Sequence, residues 1–299
     1  MNRIALKNTL FSLFLSLTTT SCFKVEGEKQ SSGGSATVTA TTPTKWSASA
    51  LGASGLNFKI SDDIENGFVA GDLVGGLNPV EQMMKAWNDT SSSISYFDLS
   101  APQAVNKQYG TYQEYLNDSE FGVYRSDSWV SGVSSQALAI TAYKAFPRNA
   151  GTSSYHLEIV HADVIMNYRD YDFTMDSNDN LRYDFHSVVL HELGHALGLK
   201  HVESFSTNSV MYKYLGRSDV QRSPTTYDDN TVSSLYGVSS SLAAAAVVKD
   251  IPTQYELPSD ARRNEDGSVT GLIELRADGE CRHYLGDKLT HSHKVSHNH

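Results

Sequence analysis

The chain of 299 residues has little cysteine and a deficit of basic side chains, and each shortage excludes a class of protein. Its two cysteines, Cys22 and Cys281, are too few for a disulfide-rich scaffold, so packing, with or without a bound metal, must hold the fold. Its 24 Lys and Arg stand against 34 Asp and Glu, which gives a formal net charge of −10. Because nucleic-acid binding depends on clustered Lys and Arg, this balance argues against a nucleic-acid partner.

Long apolar runs are also missing, except for one near the start of the chain. Arg3 and Lys7 precede an apolar run over residues 10–17, which is too short to span a membrane as a mature helix. Small residues then lead to Cys22. This order predicts a signal peptide over residues 1–22, and the small residue before the cysteine favours the bacterial lipoprotein type, in which Cys22 is lipidated. Ordinary signal cleavage and an uncleaved helix are the alternatives.

Composition divides the rest of the chain into a linker, a folded domain and a polar extension. Residues 23–50 are rich in Ser, Gly, Thr and Ala, so they predict a flexible linker before a domain over residues 51–237. Residues 238–299 form a C-terminal extension that is expected to be an inert solvated tail, with metal collection as the alternative. Its metal-binding side chains are Cys281, His283, His291, His293, His297 and His299.

Periodicity predicts a mixture of strands and helices within the folded domain. Strand-like runs, which predict a sheet of about five strands, cover residues 56–60, 94–97, 121–124, 137–146 and 157–168. Asn78 and Asp184 are predicted to cap two helices, and a third helix is predicted over residues 228–236, ended by Gly237. These elements indicate an α+β fold.

The strongest pattern is the stretch HELGHALGLKH, which begins at His191 and ends at His201. Histidines four residues apart on a helix lie one above the other, so His191 and His195 can bind one ion at about 2.0–2.1 Å. Gly198 can take the left-handed conformation that ends a helix sharply, which lets His201 turn back toward the same ion. The spacing therefore predicts one catalytic Zn²⁺ with three imidazole ligands and a fourth position for water.

Glu192 follows the first of these ligands and is rotated away from it around the helix axis. Its carboxylate can therefore contact water at the open position rather than bind the metal. Zinc lowers the pKa of bound water to about 7, so Glu192 is predicted to be the general base that also returns the proton to the leaving amine. An ordinary buried histidine pair and a metal site without catalysis are the alternatives.

On these residues the chain resembles the metzincins, and among them the matrixins, the family of the matrix metalloproteinases and their bacterial relatives. The long zinc motif is the signature of that family, and Ser209-Val210-Met211-Tyr212 is similar to its Met-turn. The resemblance covers about residues 51–237. Nothing around Cys22 resembles the cysteine-containing propeptide motif of animal matrixins, so the resemblance supplies no mechanism of latency.

The resemblance implies a zincin-like fold with a twisted sheet, an active-site helix and a small C-terminal subdomain. It also implies a zinc-dependent endopeptidase whose substrates are proteins or peptides, with Met211 as a hydrophobic floor beneath the metal rather than a ligand. Residues 137–146 would be the edge strand above the cleft, to which an extended substrate adds by backbone hydrogen bonds.

One loop carries a weaker metal signal. Asp176, Asn178 and Asn180 offer the oxygen ligands that Ca²⁺ prefers, at a spacing that partly matches a calcium loop. Leu181 stands where such a loop requires glycine, so a structural calcium site and a solvated turn both stay open.

The sequence thus predicts a secreted or envelope-anchored zinc endopeptidase that is monomeric and contacts a membrane only through a lipid anchor. A surface lipoprotein that binds metal or a protein partner without catalysis is the alternative.

Overall fold

A computed structural model describes residues 43–100, 104–202, 207–237 and 261–294. The α-helices in these ranges are α1 (Ala48–Leu51), α2 (Asp62–Glu65), α3 (Pro79–Asn88), α4 (Tyr112–Leu116), α5 (Phe185–Ala196) and α6 (Thr226–Tyr236), and Ala70–Asp72 forms a turn of 3-10 helix. The strands are β1 (Thr44–Trp46), β2 (Lys59–Ser61), β3 (Ala104–Val105), β4 (Gly122–Ser126), β5 (Ala137–Arg148), β6 (His156–Asn167), β7 (Phe173–Thr174), β8 (Tyr183–Asp184), β9 (Val269–Arg276), β10 (Glu280–Leu285) and β11 (Lys288–Lys294).

Nine of the described strands form one mixed sheet with the order β11-β10-β9-β5-β6-β4-β2-β3, and β1 pairs with β6 off this path. The strands β2, β3, β4 and β6 run parallel to one another, whereas β5 lies antiparallel to β6. The strands β9, β10 and β11 continue the sheet as an antiparallel meander beyond β5. The predicted α+β, zincin-like class is confirmed, but the sheet is larger than the predicted five strands because β1 and the meander join it.

The three predicted helices are present, and their caps explain where they start. Asn78 accepts a hydrogen bond from the amide of Glu81 at 3.0 Å, and Glu81 accepts one from the amide of Asn78 at 2.7 Å, which fixes the start of α3. Helix α6 begins slightly before the predicted residue because Thr225 caps it, and Gly237 ends it in the left-handed conformation. Residues 94–97, predicted as a strand, form only a bridge between Phe97 and Leu56.

Folded structure begins before residue 51, so the predicted extent of the linker is wrong at its C-terminal end. Residues 44–46 form β1, which lies parallel to the first part of β6, and α1 follows at once. A single aromatic residue anchors this segment: Trp46 is buried, and its indole N–H donates to the carbonyl of Ala196 at 2.8 Å. Because the segment is rich in Ser and Ala, its composition does not predict that Trp46 anchors it to the fold. The signal peptide, Cys22 and the rest of the linker lie outside the described residues.

The C-terminal extension is not a solvated tail where the structure describes it. Residues 269–294 form the meander of β9, β10 and β11, and they belong to the same compact unit as the zinc motif, Thr39–His299. The apolar residues of β9 are buried, including Val269 and Leu275, which explains why these strands pack on the sheet. Residues 238–260 lie outside the described ranges. No helix of the described residues is both long and apolar enough to span a bilayer.

Candidate metal centre

Helix α5, which carries the first two histidines of the motif, is buried along its whole length. Asp184 caps it by accepting a hydrogen bond from the amide of Ser187 at 2.8 Å, and the guanidinium of Arg222 pairs with the same carboxylate. Farther along, the indole N–H of Trp87 donates to the carbonyl of Leu190 at 2.9 Å. These contacts hold the helix at both its first turn and its middle, so the histidines on it have a fixed orientation.

The helix ends at Gly198, whose conformation directs the chain toward the third histidine. Gly198 has φ +90°, in the region that favours glycine, and its amide donates to the carbonyl of His195 at 2.8 Å. Strand β1 passes so close that a Cβ at this position would lie 1.9 Å from the carbonyl oxygen of Thr44. Glycine is therefore required here by the turn and by the packing of β1.

Gly198→Ala is expected to destabilise the fold and to loosen the third histidine. Holding a non-glycine residue at this φ costs at least about 1–3 kcal/mol, and the contact with Thr44 adds to that cost. Urea unfolding followed by tryptophan fluorescence measures the loss. Gly71→Ala is the matched control, because a Cβ there meets no atom within 4 Å. Equal stability of the two variants would contradict the role assigned to Gly198.

The structure brings the three histidines of the motif together at one point. The Nε2 atoms of His191 and His195 are 3.0 Å apart, and each lies 2.9 Å from Nε2 of His201. Nδ1 of His191 faces the carbonyl of Val210 at 2.8 Å, and Nδ1 of His195 faces that of Leu199 at 2.8 Å. Because each Nδ1–H donates to a carbonyl oxygen, the Nε2 lone pairs are left to converge, as a tetrahedral metal requires.

Burial keeps the two helical ligands neutral. It lowers the pKa of His191 to about 4 and lowers the pKa of His195 well below its usual value, and the neighbouring His191 and His283 lower the latter further. A neutral imidazole is the form that binds a metal. Among the described residues, the side chains of His191, His195 and His201 form a group whose ligand atoms lie close enough together to hold one metal ion. These residues could hold a metal ion, and their donor set fits zinc.

The Met-turn lies directly beneath this site. The backbone amide of Val202 donates to the carbonyl of Met211 at 2.8 Å, which ties the turn to the strand-like segment after His201. Asp228 on α6 accepts from the hydroxyl of Ser209 at 2.5 Å and from the amide of Val210 at 3.0 Å. Helix α6 therefore fixes the turn whose Val210 carbonyl orients His191.

Met211 is buried and packs against the middle of α5. A Cβ added at Gly194 would lie 2.3 Å from Sδ of Met211, so the thioether fills the space that this glycine leaves between the two helical histidines. The placement agrees with a hydrophobic floor, and Met211 is not in the group of potential ligands.

Glu192 lies in the interior beside strand β5. The Thr141 hydroxyl donates to Oε2 of Glu192 at 2.5 Å, whereas Oε1 is buried without a hydrogen-bond partner. Burial raises the pKa of Glu192 to about 8, and the Thr141 hydrogen bond partly opposes this shift. The carboxyl group is thus held at one oxygen, and the other oxygen is available for proton transfer.

Two residues that sequence reasoning did not place at the site also reach it, and a third lies in the core cluster that contains Met211. Thr141 holds Glu192, as described above, and no sequence pattern marks it. His283 on β10 lies with Nε2 2.6 Å from Nδ1 of His201. Cys281, on the same strand, is buried in the core cluster that contains Met211, and its Sγ contacts the carbonyl of Lys213 at 2.7 Å. The only sequence signal for His283 is the group of histidines in the C-terminal extension, and that composition predicts a solvated tail.

The candidate calcium residues lie in an exposed turn away from the histidines. Oδ1 of Asp176 accepts hydrogen bonds from the amide of Asn178 at 2.9 Å and from its side chain at 3.1 Å, and Asn180 is exposed. Part of the acceptor capacity of Asp176 is therefore used within the loop. The calcium site stays a prediction.

Comparison with known families agrees with this geometry. Residues 140–237 match the family model Peptidase_M10, described as Matrixin, and this range includes the histidine motif, the Met-turn and α6. The match confirms the resemblance seen in the motif. A search among curated proteins finds no match.

Proposed function

Because residues 140–237 form a matrixin-type metallopeptidase domain, we propose that the chain is a zinc-dependent endopeptidase with His191, His195 and His201 as metal ligands and Glu192 as its general base. One observation carries the proposal. Three imidazole Nε2 atoms lie within 3.0 Å of one another, on the same helix and loop that present a carboxyl group with one uncommitted oxygen.

A zinc ion held by these three rings supplies Lewis acidity toward water and toward a peptide carbonyl. Glu192 accepts the proton of the attacking water at Oε1, while the hydroxyl of Thr141 fixes the carboxylate through Oε2. The protonated Glu192 then delivers the proton to the leaving amine. Nδ1–H of His191 and Nδ1–H of His195 donate to the carbonyls of Val210 and Leu199, so each neutral ring keeps its unprotonated Nε2 for the metal.

The substrates we propose are extended segments of proteins or peptides outside the cytoplasm. The apolar run before Cys22 supports export, and lipidation of Cys22 would attach the enzyme to the cell envelope. We propose a monomer, with a structural Ca²⁺ at Asp176, Asn178 and Asn180 as a further element to be measured. Each of these points extends the family match rather than following from it.

A second candidate function is a surface lipoprotein that binds metal without catalysis. The burial of Glu192, which has no exposed surface, favours it, since a general base must meet its substrate.

The full chain, incubated with unfolded casein, tests the proposal. We expect cleavage that stops when a chelator removes the metal and returns when Zn²⁺ is added back in stoichiometric amount. Metal content is measured in parallel by elemental analysis, so that an inactive but loaded protein is recognised. A chain that holds one zinc per molecule and cleaves no peptide bond under any condition would favour the metal-binding lipoprotein.

A further inference from the structure

Strand β5 is not the edge strand that the resemblance implies. Strand β9 pairs with it in antiparallel orientation from Ala137 to Ala145, and Thr141 lies directly opposite Ile273. Thr141 is the residue that holds Glu192. The backbone edge nearest to the general base, where an extended substrate would add, is therefore already paired with the chain's own C-terminal segment.

The next strand of the meander brings one side chain to the metal centre and buries another in the core cluster that contains Met211. Nε2 of His283 lies 2.6 Å from Nδ1 of His201, and its ring centre is 6.1 Å from that of His195. Cys281, two residues earlier on β10, is fully buried in the cluster that also contains Met211 and Leu193. Strand β10 thus covers the site from the side of the third ligand.

The meander fits β5 closely rather than resting on it loosely. Tyr143 on β5 lies against Gly271 on β9, where a Cβ would come within 1.9 Å of the tyrosine ring. Lys144 forms an ion pair with Asp266 at 3.0 Å across the same junction. Leu272 packs with Ile140 and Ala142 in one core cluster. Packing, charge and backbone pairing therefore all select this register.

The two helical ligands and the general base are buried, whereas His201 is partly exposed. Glu192 and His191 have no exposed surface, and His195 is 1% exposed. A protease acting on an external peptide must admit a substrate strand and water to these groups. In the described structure Glu192 is buried, β9 occupies the edge of β5 and His283 lies beside His201, so both must be admitted where the meander now lies.

We propose that β9 and β10 form an intramolecular inhibitor, which keeps the enzyme latent by occupying the substrate's edge of β5 and by placing His283 against the metal ligand His201. This inference rests on the proposed function, since it describes the regulation of the same site. A peptide substrate would gain access only when the meander leaves β5. The inhibitor uses the same backbone hydrogen bonds as an extended substrate, so the two compete directly.

Competition favours the tethered strand. Residues 237–268 tether β9 to the catalytic part of the chain. A tethered segment competes at an effective concentration that reaches about millimolar, whereas substrates commonly bind with constants of about 1 μM to 1 mM. Release of the meander is therefore expected to raise cleavage of a dilute substrate by about tenfold or more.

A reversible cross-link tests whether β9 must leave. Lys144 and Thr270 are opposite each other in the β5–β9 pair, so Lys144→Cys with Thr270→Cys, in a Cys22→Ser background, can form a disulfide between the strands. We expect the oxidised full chain to lose its residual cleavage of casein and a phosphine reductant to restore it. The two single-cysteine variants, treated in the same way, are the controls for oxidation. Equal and measurable activity of the oxidised and reduced double variant would overturn the inference.

A second variant opens the site. Ile273→Pro removes an amide from the middle of β9 and is expected to detach it from β5, whereas Leu289→Pro on β11 changes a half-exposed residue of a strand that does not touch β5. Binding of a fluorescein-labelled peptide with the sequence of residues 268–277 provides a measurement that does not depend on catalysis. We expect binding to Ile273→Pro and none to wild type, to Leu289→Pro or to the oxidised double variant.

The rate at which a maleimide modifies Cys281, again with Cys22→Ser, reports whether the meander has opened. Opening without peptide binding and without a rise in cleavage would overturn the inference, and so would peptide binding to the locked chain. Failure of the proposed function is recognised separately. In that case no variant cleaves casein, while the labelled peptide still distinguishes the opened chain from the locked one.

Discussion

Glu192→Gln is expected to lower the rate of peptide-bond cleavage by about 10²–10⁴-fold, the range that a positioned general base contributes. Glutamine keeps the shape of the side chain and can still pair with the hydroxyl of Thr141, but it cannot accept a proton from water. The effect should appear in kcat, and the zinc content should not change. The measurement is cleavage of casein at saturating substrate, with an opened chain as the starting protein if the wild type is latent.

The stability of Glu192→Gln shows whether its lost activity comes from unfolding rather than from the missing base. Burial raises the pKa of Glu192 from 4.5 to about 8, so the folded chain holds this proton more tightly than the unfolded chain does. The resulting stabilisation is complete below pH 4.5 and is lost as the pH rises through 8. Glutamine has no such titration, so after chelation the variant should melt at or above the wild-type temperature at pH 8. A lower melting temperature would mean that the loss of activity reflects damage to the fold.

His195→Ala is expected to abolish zinc binding at working concentrations and cleavage with it. Loss of a group that only orients a ligand commonly weakens metal affinity by about 10–100-fold, and loss of a ligand should exceed that. His195 contributes one of the three converging Nε2 atoms, and two imidazoles leave the ion without a closed set of protein ligands. Competition with a chromogenic chelator measures the affinity directly.

His156→Ala is the matched control for this substitution. His156 is partly exposed and faces the carbonyl of Ser154 within its own turn, so its loss should leave the zinc affinity unchanged. If both variants bind zinc like the wild type, the metal is held elsewhere and the assignment of the ligands is wrong.

The parts of the site that could be predicted from sequence are those encoded locally. The cap at Asp184, the ligands His191 and His195 and the exit at Gly198 all lie within a short stretch, where helical spacing alone fixes their relation. The third ligand, His201, follows from the same stretch because Gly198 breaks the helix. The structure adds that this glycine also makes room for β1, which no local pattern shows.

The parts that could not be predicted depend on contacts between distant segments. Thr141 meets Glu192 across 51 positions of the chain, and His283 meets His201 across 82 positions. Which strands pair depends on which sheet edge is free as well as on composition, so the sequence of β9 does not show that it pairs with β5. The polar, histidine-rich residues that follow β9 also give its segment the composition of a solvated tail.

Strand β1 also limits how far the chain can be shortened from its N-terminus. Its Thr44 carbonyl lies against the exit of helix α5, and its Trp46 indole binds the last turn of that helix. A cut on the N-terminal side of Thr44 leaves both supports in place. A cut after Trp46 would remove them, so a shortened chain with an intact metal centre must retain Thr44 and Trp46.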